Sequence, residues 1–335
     1  MALNAPPWWY QRKGQPAPVI RALLAPISWI WTFATARKIA KAQPFDPGVP
    51  VICVGNLTVG GAGKTPIVRE LIYRLNRDGV KAHGLSRGYG GRLAGPLRVD
   101  PLAHSAAEVG DEPLMLARDG EPIWVGRDRP AGARAAVTAG AKAIVMDDGH
   151  QNPSLTKALS LVVVDGETRH GEWPFGDGAV IPSGPMREPL SAGLARADAV
   201  VLMLPADVAA PDPELLALFG SKPVLMARLL ADSPPPAGPQ LGFAGVGKPW
   251  KVARSLKAAG CDLVDFASFP DHAPYTPGLL KALGDRARAL GAGLVTTEKD
   301  WVRLPADWRA KVAAWPVRAR FEDEAALERL LKPFT

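Results

Sequence analysis

The chain has 335 residues, 47% hydrophobic and 22% charged, an ordinary globular composition that excludes a disordered, collagen-like or low-complexity protein. Its length admits one large domain or two of common size; its two cysteines, Cys53 and Cys261, are too few for a disulfide framework and lack zinc-ligand spacing. The formal net charge is +7, yet Arg12, Lys13, Arg21, Arg37, Lys38 and Lys41 all precede the first acid, Asp46. A nucleic-acid-binding protein spreads its basic residues over a folded surface, so no nucleic-acid partner is expected, and no obligate protein partner is inferred.

The basic arm, 1–45, also carries Trp8, Trp9, Tyr10, Trp29, Trp31 and Phe33. Tryptophan beside Lys and Arg suits a membrane interface, where amphipathic rings sit at headgroup depth and cations meet anionic lipid. Residues 18–36 are apolar, but Arg21 lies inside them and Pro26 interrupts them. The clean run is only about a dozen residues, short of the roughly 20 a span requires. Ala34-Thr35-Ala36 has the small residues of a signal-peptide cleavage site, but basic residues follow the apolar run as well as precede it. The arm therefore reads as an interfacial helix on an anionic lipid surface, with plain packing against the protein as the alternative.

Residues 49–54 form a short apolar, β-branched run that reads as a buried strand. Gly55-Asn56-Leu57-Thr58-Val59-Gly60-Gly61-Ala62-Gly63-Lys64-Thr65-Pro66 follows, and then Ile67, Val68, Leu71, Ile72 and Leu75 recur at helical spacing. Strand, glycine loop and helix are the context of a P-loop. The loop Thr58, Val59, Gly60, Gly61, Ala62, Gly63, Lys64, Thr65 and Pro66 is expected to wrap phosphates at a helix N-terminus, with backbone N–H groups donated by its residues other than Pro66. Lys64 would reach the β/γ-phosphates and Thr65 would place its hydroxyl on Mg²⁺. The strict pattern has glycine where this chain has Thr58.

A P-loop calls for a second strand that ends in a metal-directed aspartate. Residues 143–146 followed by Asp147-Asp148 fit, because adjacent carboxylates at a strand end need a neutralising charge. Which of the two binds Mg²⁺ directly is open. Further apolar runs at 80–85, 122–125, 161–164 and 199–204 read as strands, and 66–77, 112–118, 130–139 and 188–196 as helices. This is an α/β, doubly wound sheet with ligands at the carboxyl ends of its strands. A core of 46–222 is expected, then a smaller α/β domain from 223 to 335 after the extended run 223–230 and the proline-rich 231–239. Residues 240–244, 261–266 and 293–297 read as its strands. Gly245-Val246-Gly247 reads as a simple turn. Thr297-Glu298-Lys299-Asp300 has the wrong spacing for guanine recognition, which disfavours a GTPase switch.

The P-loop string, Ser86-Arg87-Gly88-Tyr89-Gly90-Gly91, Gly110-Asp111-Glu112-Pro113, Asp147-Asp148-Gly149-His150-Gln151, Pro185-Met186-Arg187-Glu188, Asp271-His272 and Thr297-Glu298-Lys299-Asp300 together resemble the tetraacyldisaccharide 4'-kinase family, in family order from about residue 50 to 300. Thr58 belongs to that family's own loop. The resemblance implies transfer of the γ-phosphoryl group of ATP, with Mg²⁺, to the 4'-hydroxyl of a tetraacylated glucosamine disaccharide 1-phosphate embedded in the membrane. It also implies a peripheral position on the cytoplasmic face of the inner membrane. It implies that Asp111 and His272 pair to activate the acceptor hydroxyl. Arg87, Tyr89, Arg187 and Glu188 are the candidates for the acceptor's sugar and 1-phosphate, with Glu112 and Gln151 beside them; His150 is given no role.

Overall fold

The computed structural model describes residues 6–12, 19–169 and 171–335; Lys13 of the basic arm lies outside them. The central strands Val51–Gly55, Ala143–Asp147 and Ala199–Leu204 form where β-branched and aliphatic residues run together, as expected for a sheet covered on both faces. In chain order the strands are β1 (Val51–Gly55), β2 (Ala82–Ser86), β3 (Leu97–Arg98), β4 (Ile123–Val125), β5 (Ala143–Asp147), β6 (Leu159–Asp165), β7 (Ala199–Leu204) and β8 (Val224–Ala231). After them come β9 (Gln240–Ala244), β10 (Leu263–Ser268), β11 (Gly293–Thr297), β12 (Val312–Trp315) and β13 (Val317–Phe321).

The larger sheet has the order β13-β8-β7-β6-β1-β5-β2-β4-β3, and the smaller has β10-β9-β11-β12. β1 lies between β5 and β6 and runs parallel to both. The chain winds to one side of β1 through β5 and to the other from β6 onward, so a topological switch opens a crevice at the carboxyl ends of these strands. The helix Lys64–Arg77 buries Ile67, Val68, Leu71, Ile72 and Leu75 against the sheet. Each such side chain contributes about 1.5–3 kcal/mol by leaving water.

The sheet pairing moves the domain boundary expected at 223. Residues 224–231 extend the larger sheet beside β7, with Val200 opposite Val224 and Leu202 opposite Met226. After β12 the chain returns: β13 pairs antiparallel with β8, and the helix Glu324–Leu331 buries Leu327 and Leu331 in the same core as Ile67 and Leu71. The smaller sheet is thus an insertion spanning about 240–315, entered and left through two neighbouring strands of the larger one. The cause is the apolar inward face of 224–231, where Leu225 and Ala227 are buried. The strand expected at 261–266 runs from Leu263 to Ser268.

In the arm, residues Val19–Ala40 form one helix of 22 residues that continues through Pro26. The expected interruption is absent because both halves are anchored. Arg21 pairs with Asp177, and the Ser28 hydroxyl donates to the Val180 carbonyl at 2.8 Å. Trp31 Nε1 donates to the Arg187 carbonyl at 3.1 Å. By length and composition the helix could cross a membrane. Its polarity is inside out for a soluble helix. Ser28 is its one buried residue, whereas Val19, Ile20, Leu23, Ile27, Trp29, Ile30, Trp31 and Phe33 are exposed.

Candidate active site

The loop from β1 to the helix Lys64–Arg77 has the P-loop shape expected of it. Gly63 takes φ +84°, a left-handed conformation that admits glycine readily, and turns the chain into the helix. Asn56 Nδ2 donates to the Thr58 carbonyl at 2.8 Å and holds the loop from within. Thr58 bridges Met186, and Val59 N–H donates to the Pro185 carbonyl at 2.8 Å, which ties the loop to the segment before Arg187.

Lys64 Nζ lies 3.6 Å from Asp148 Oδ1. Arg187 Nη1 donates to the same oxygen at 2.8 Å, and Arg187 Nε donates to the Thr58 carbonyl at 3.1 Å. Burial opposes the Asp148 charge, but Lys64 and Arg187 outweigh it and hold its carboxyl below the usual range. Asp148 stands at φ +52°, a left-handed backbone that costs a non-glycine residue energy and is often found at functional sites.

Asp147 is different. It is 2% exposed, and neither carboxylate oxygen has a hydrogen-bond partner among the described residues. Burial, then Glu112 and Asp148, push its carboxyl up, against Lys64 and Arg129. Buried Arg129 donates from Nη2 to the Asp147 carbonyl at 3.0 Å and fixes the backbone there. A buried, orphaned carboxylate at the end of β5, near Lys64 and next to Asp148, has the chemistry that suits a hard divalent cation with oxygen ligands.

A second cluster forms across the two sheets. Asp111 begins the helix Asp111–Ala117. Gly110 before it sits at φ +93°, where a Cβ would fall 2.7 Å from the Tyr89 carbonyl oxygen, so Asp111 is held against the loop after β2. His272, from the loop after β10, puts Nδ1 2.9 Å from Asp111 Oδ2. Burial works against the Asp111 charge, but His272, Lys299 and Arg303 prevail and lower its pKa. The same contact is the main cause of a raised His272 pKa. The Tyr89 ring meets His272 edge to face at 5.5 Å between centroids. Lys299 Nζ lies 3.1 Å from Glu112 Oε1 and 3.4 Å from His272 Nε2.

The remaining candidates divide. Arg87 and Tyr89 are exposed on the loop after β2, and the Tyr89 ring lies against His272 of the Asp111 cluster. Glu188 and Gln151 are instead committed to a network. Glu188 is 2% exposed and takes two bonds from Arg196, at 2.7 and 2.6 Å. Gln151 donates to Glu188 and to the Asn56 carbonyl, both at 2.9 Å. This differs from the expected acceptor contact, because no free face of Glu188 remains. His150 is buried between Ser160 and the Gly193 carbonyl, and burial lowers its pKa.

Thr297-Glu298-Lys299-Asp300 is a capped turn, with Thr297 Oγ1 accepting from the Asp300 N–H at 3.0 Å. Glu298 is gripped by Arg69 of the P-loop helix at 2.7 and 2.9 Å, and Arg69 also pairs with Asp119. Arg303, three residues past Asp300, carried no sequence motif; only its i,i+3 spacing from Asp300 could have drawn attention to it.

The chain resembles known proteins along nearly its whole length. The family profile described as tetraacyldisaccharide-1-P 4'-kinase (LpxK) matches residues 20–335. The chain belongs to the tetraacyldisaccharide 4'-kinase family. It is 68% identical over 332 residues to the tetraacyldisaccharide 4'-kinase of Caulobacter vibrioides, covering 99% of each chain. It is 52% identical to the one from Rhodospirillum centenum, covering 99% of this chain and 96% of that one. Among solved structures it is similar to the "apo" form of LpxK from Aquifex aeolicus in complex with ATP, with a TM-score of 0.74, 27% identity, and coverage of 94% and 99%. The family's members are ATP-dependent kinases that phosphorylate a lipid A precursor at its 4' position, so phosphoryl transfer to a hydroxyl is the chemistry of this site.

Proposed function

We propose that the chain phosphorylates the 4'-hydroxyl of a tetraacyl disaccharide 1-phosphate through a division of labour between its two clusters, in a late step of lipid A biosynthesis. The loop 58–66 holds the phosphates of ATP, and Lys64 neutralises charge on the group in transfer. Thr65, Asp147 and Asp148 would hold Mg²⁺, which when bound would supply positive charge to the phosphate oxygens. The observation that carries the metal assignment is Asp147, a buried carboxylate with no hydrogen-bond partner among the described residues.

Asp111 acts as the base for the acceptor hydroxyl and His272 orients it. Phosphoryl transfer has a loose transition state, so positioning and charge neutralisation dominate, and a carboxylate of low pKa suffices to align the hydroxyl and take its proton late. Arg187 spans the nucleotide loop and Asp148, and Lys64 completes that charge balance. Arg87 and Tyr89 face the acceptor, for which the planar fork of arginine suits a phosphate. Glu112 holds Lys299 beside the pair. Gln151 and Glu188 brace the nucleotide loop.

The helix Val19–Ala40 docks by its serine and threonine side and turns its apolar side outward, which supports seating on the cytoplasmic face of the inner membrane, against anionic lipid. An acylated acceptor then need not leave the bilayer. The test is transfer of labelled γ-phosphate from ATP to tetraacyldisaccharide 1-phosphate in mixed micelles, with Mg²⁺ and with excess EDTA. Mg²⁺-dependent label in the lipid is expected. Free phosphate without labelled lipid would overturn the acceptor assignment, and full transfer in EDTA would overturn the metal.

A further inference from the structure

Arg303 reaches Asp111 from the smaller sheet unit, and the mechanism above makes no use of it. Its Nη1 lies 4.0 Å from Asp111 Oδ2. Its side chain is 11% exposed, and neither Nη1 nor Nε has a hydrogen-bond partner among the described residues. Its Nη2 is paired with Asp300, which compensates the buried charge, and Nη1 is left to face Asp111.

The scaffold around it is built for position. Asp300 is fully buried, and its Oδ1 accepts from Arg303 Nη2, from the Tyr275 hydroxyl at 2.8 Å and from the Gly245 N–H at 3.1 Å. The Gly245 carbonyl accepts from the His272 N–H at 3.2 Å and from Arg303 Nη2 at 3.3 Å. The Arg303 guanidinium also lies 5.0 Å from the Tyr275 ring centroid. One carboxylate, Asp300, therefore fixes two things together: the backbone of His272, held at φ +57°, and the charge that faces Asp111.

We infer that Arg303 is a positioning residue for the Asp111–His272 pair, its guanidinium holding Asp111 ionised and aimed when the smaller unit lies against the larger. The inference rests on the reading of Asp111 as base. The groups that face Asp111 are His272 and Asp271 from the loop after β10, Lys299 and Arg303 from the segment after β11, Glu112 from its own helix and Tyr89 from the loop after β2. Arg303 and Lys299 are the permanent cations in this set. Removing one raises the proton affinity of both members of the pair, because a neighbouring cation disfavours a proton on either of them.

The experiment measures the pH dependence of kcat for the full chain carrying Arg303→Met, Arg303→Gln or Arg303→Lys, beside Asp111→Asn. Arg303→Met and Arg303→Gln are expected to lower kcat about tenfold and to move both limbs of the profile up by at least about half a pH unit. The KM for ATP is expected to stay near that of the unmodified chain, and Arg303→Lys to restore the limbs. Limbs that stay in place in both neutral variants would overturn the inference even if kcat falls, because a merely structural residue would lower kcat in that way. If Arg303→Met does not fold, the Gln and Lys variants carry the same comparison. Near-normal turnover in Asp111→Asn would instead remove the base assignment itself.

Discussion

His272 Nδ1 sits 2.9 Å from Asp111 Oδ2, although the two residues belong to different sheet units and stand 161 positions apart by their numbers (272 − 111). The contact has a pH signature. His272 is raised above its ordinary 6.5, so its contribution to stability is complete below that pH and is lost as the pH rises through the folded value. Asp111 is lowered below 3.8, so its contribution is present above that pH and is lost as the pH falls through its folded value. Between about pH 4 and 6.5 both are present. The melting-temperature gap between the unmodified chain and His272→Ala should be larger near about pH 5.5 than near about pH 9. Since His272 is partly solvated, the effect should be under about 1 kcal/mol. A gap that widens toward alkaline pH would contradict the pairing.

Arg69 joins the P-loop helix to the insertion through Glu298 and to the segment after the Asp111 helix through Asp119. Its guanidinium is nearly buried. Arg69→Ala leaves Asp119 and Glu298 only the longer Arg318 contacts, at 3.6 and 3.5 Å, and should cost about 2 kcal/mol in urea unfolding. Because the same bonds seat the insertion that carries His272, kcat should fall as well. Unchanged stability would mean the junction is solvated and replaceable.

Lys64 and Arg187 converge on Asp148. Lys64→Ala should remove charge from the phosphates and lower kcat by at least about 10²-fold, as for other preorganised electrostatic groups. Arg187→Ala should in addition loosen the nucleotide loop by losing its bond to the Thr58 carbonyl, and so raise the KM for ATP. Steady-state kinetics at varied ATP separate the two outcomes. Equal effects on KM in both variants would dissolve the distinction.

The outward face of the helix Val19–Ala40 offers a fourth test. Replacing Leu23, Ile27 and Ile30 by Ser keeps the docked side intact, including Ser28 and Trp31. Vesicle sedimentation should show binding to anionic vesicles falling by at least about tenfold, since each buried aliphatic side chain is worth about 1.5–3 kcal/mol. Unaltered sedimentation would mean that this face is not the lipid contact.

The nucleotide half of the site was legible in the sequence because a P-loop is local: strand, glycines, Lys64, Thr65 and an amphipathic helix occupy one stretch. Asp147-Asp148 was legible for the same reason, as a charge pair at the end of an apolar strand. The boundary at 223 was misread because proline and glycine punctuation marks a turn and says nothing of which sheet the next strand joins. That choice rests on the pairing of β8 with β7 and on β13, about 90 residues later. Pro26 misled in the same way, since the anchors that carry the helix past it are on distant segments. Glu188 looked available for substrate because its partner Arg196 lies one helix further on. Arg303 had no motif at all, and only folding brings it to Asp111.

The account turns on Asp111 as the group that activates the acceptor. The most direct measurement is single-turnover transfer from labelled ATP to tetraacyldisaccharide 1-phosphate by Asp111→Asn, with ATP binding measured on the same preparation. The account predicts a rate lower by about 10²–10⁴-fold with ATP affinity nearly unchanged. A rate close to that of the unmodified chain would contradict it.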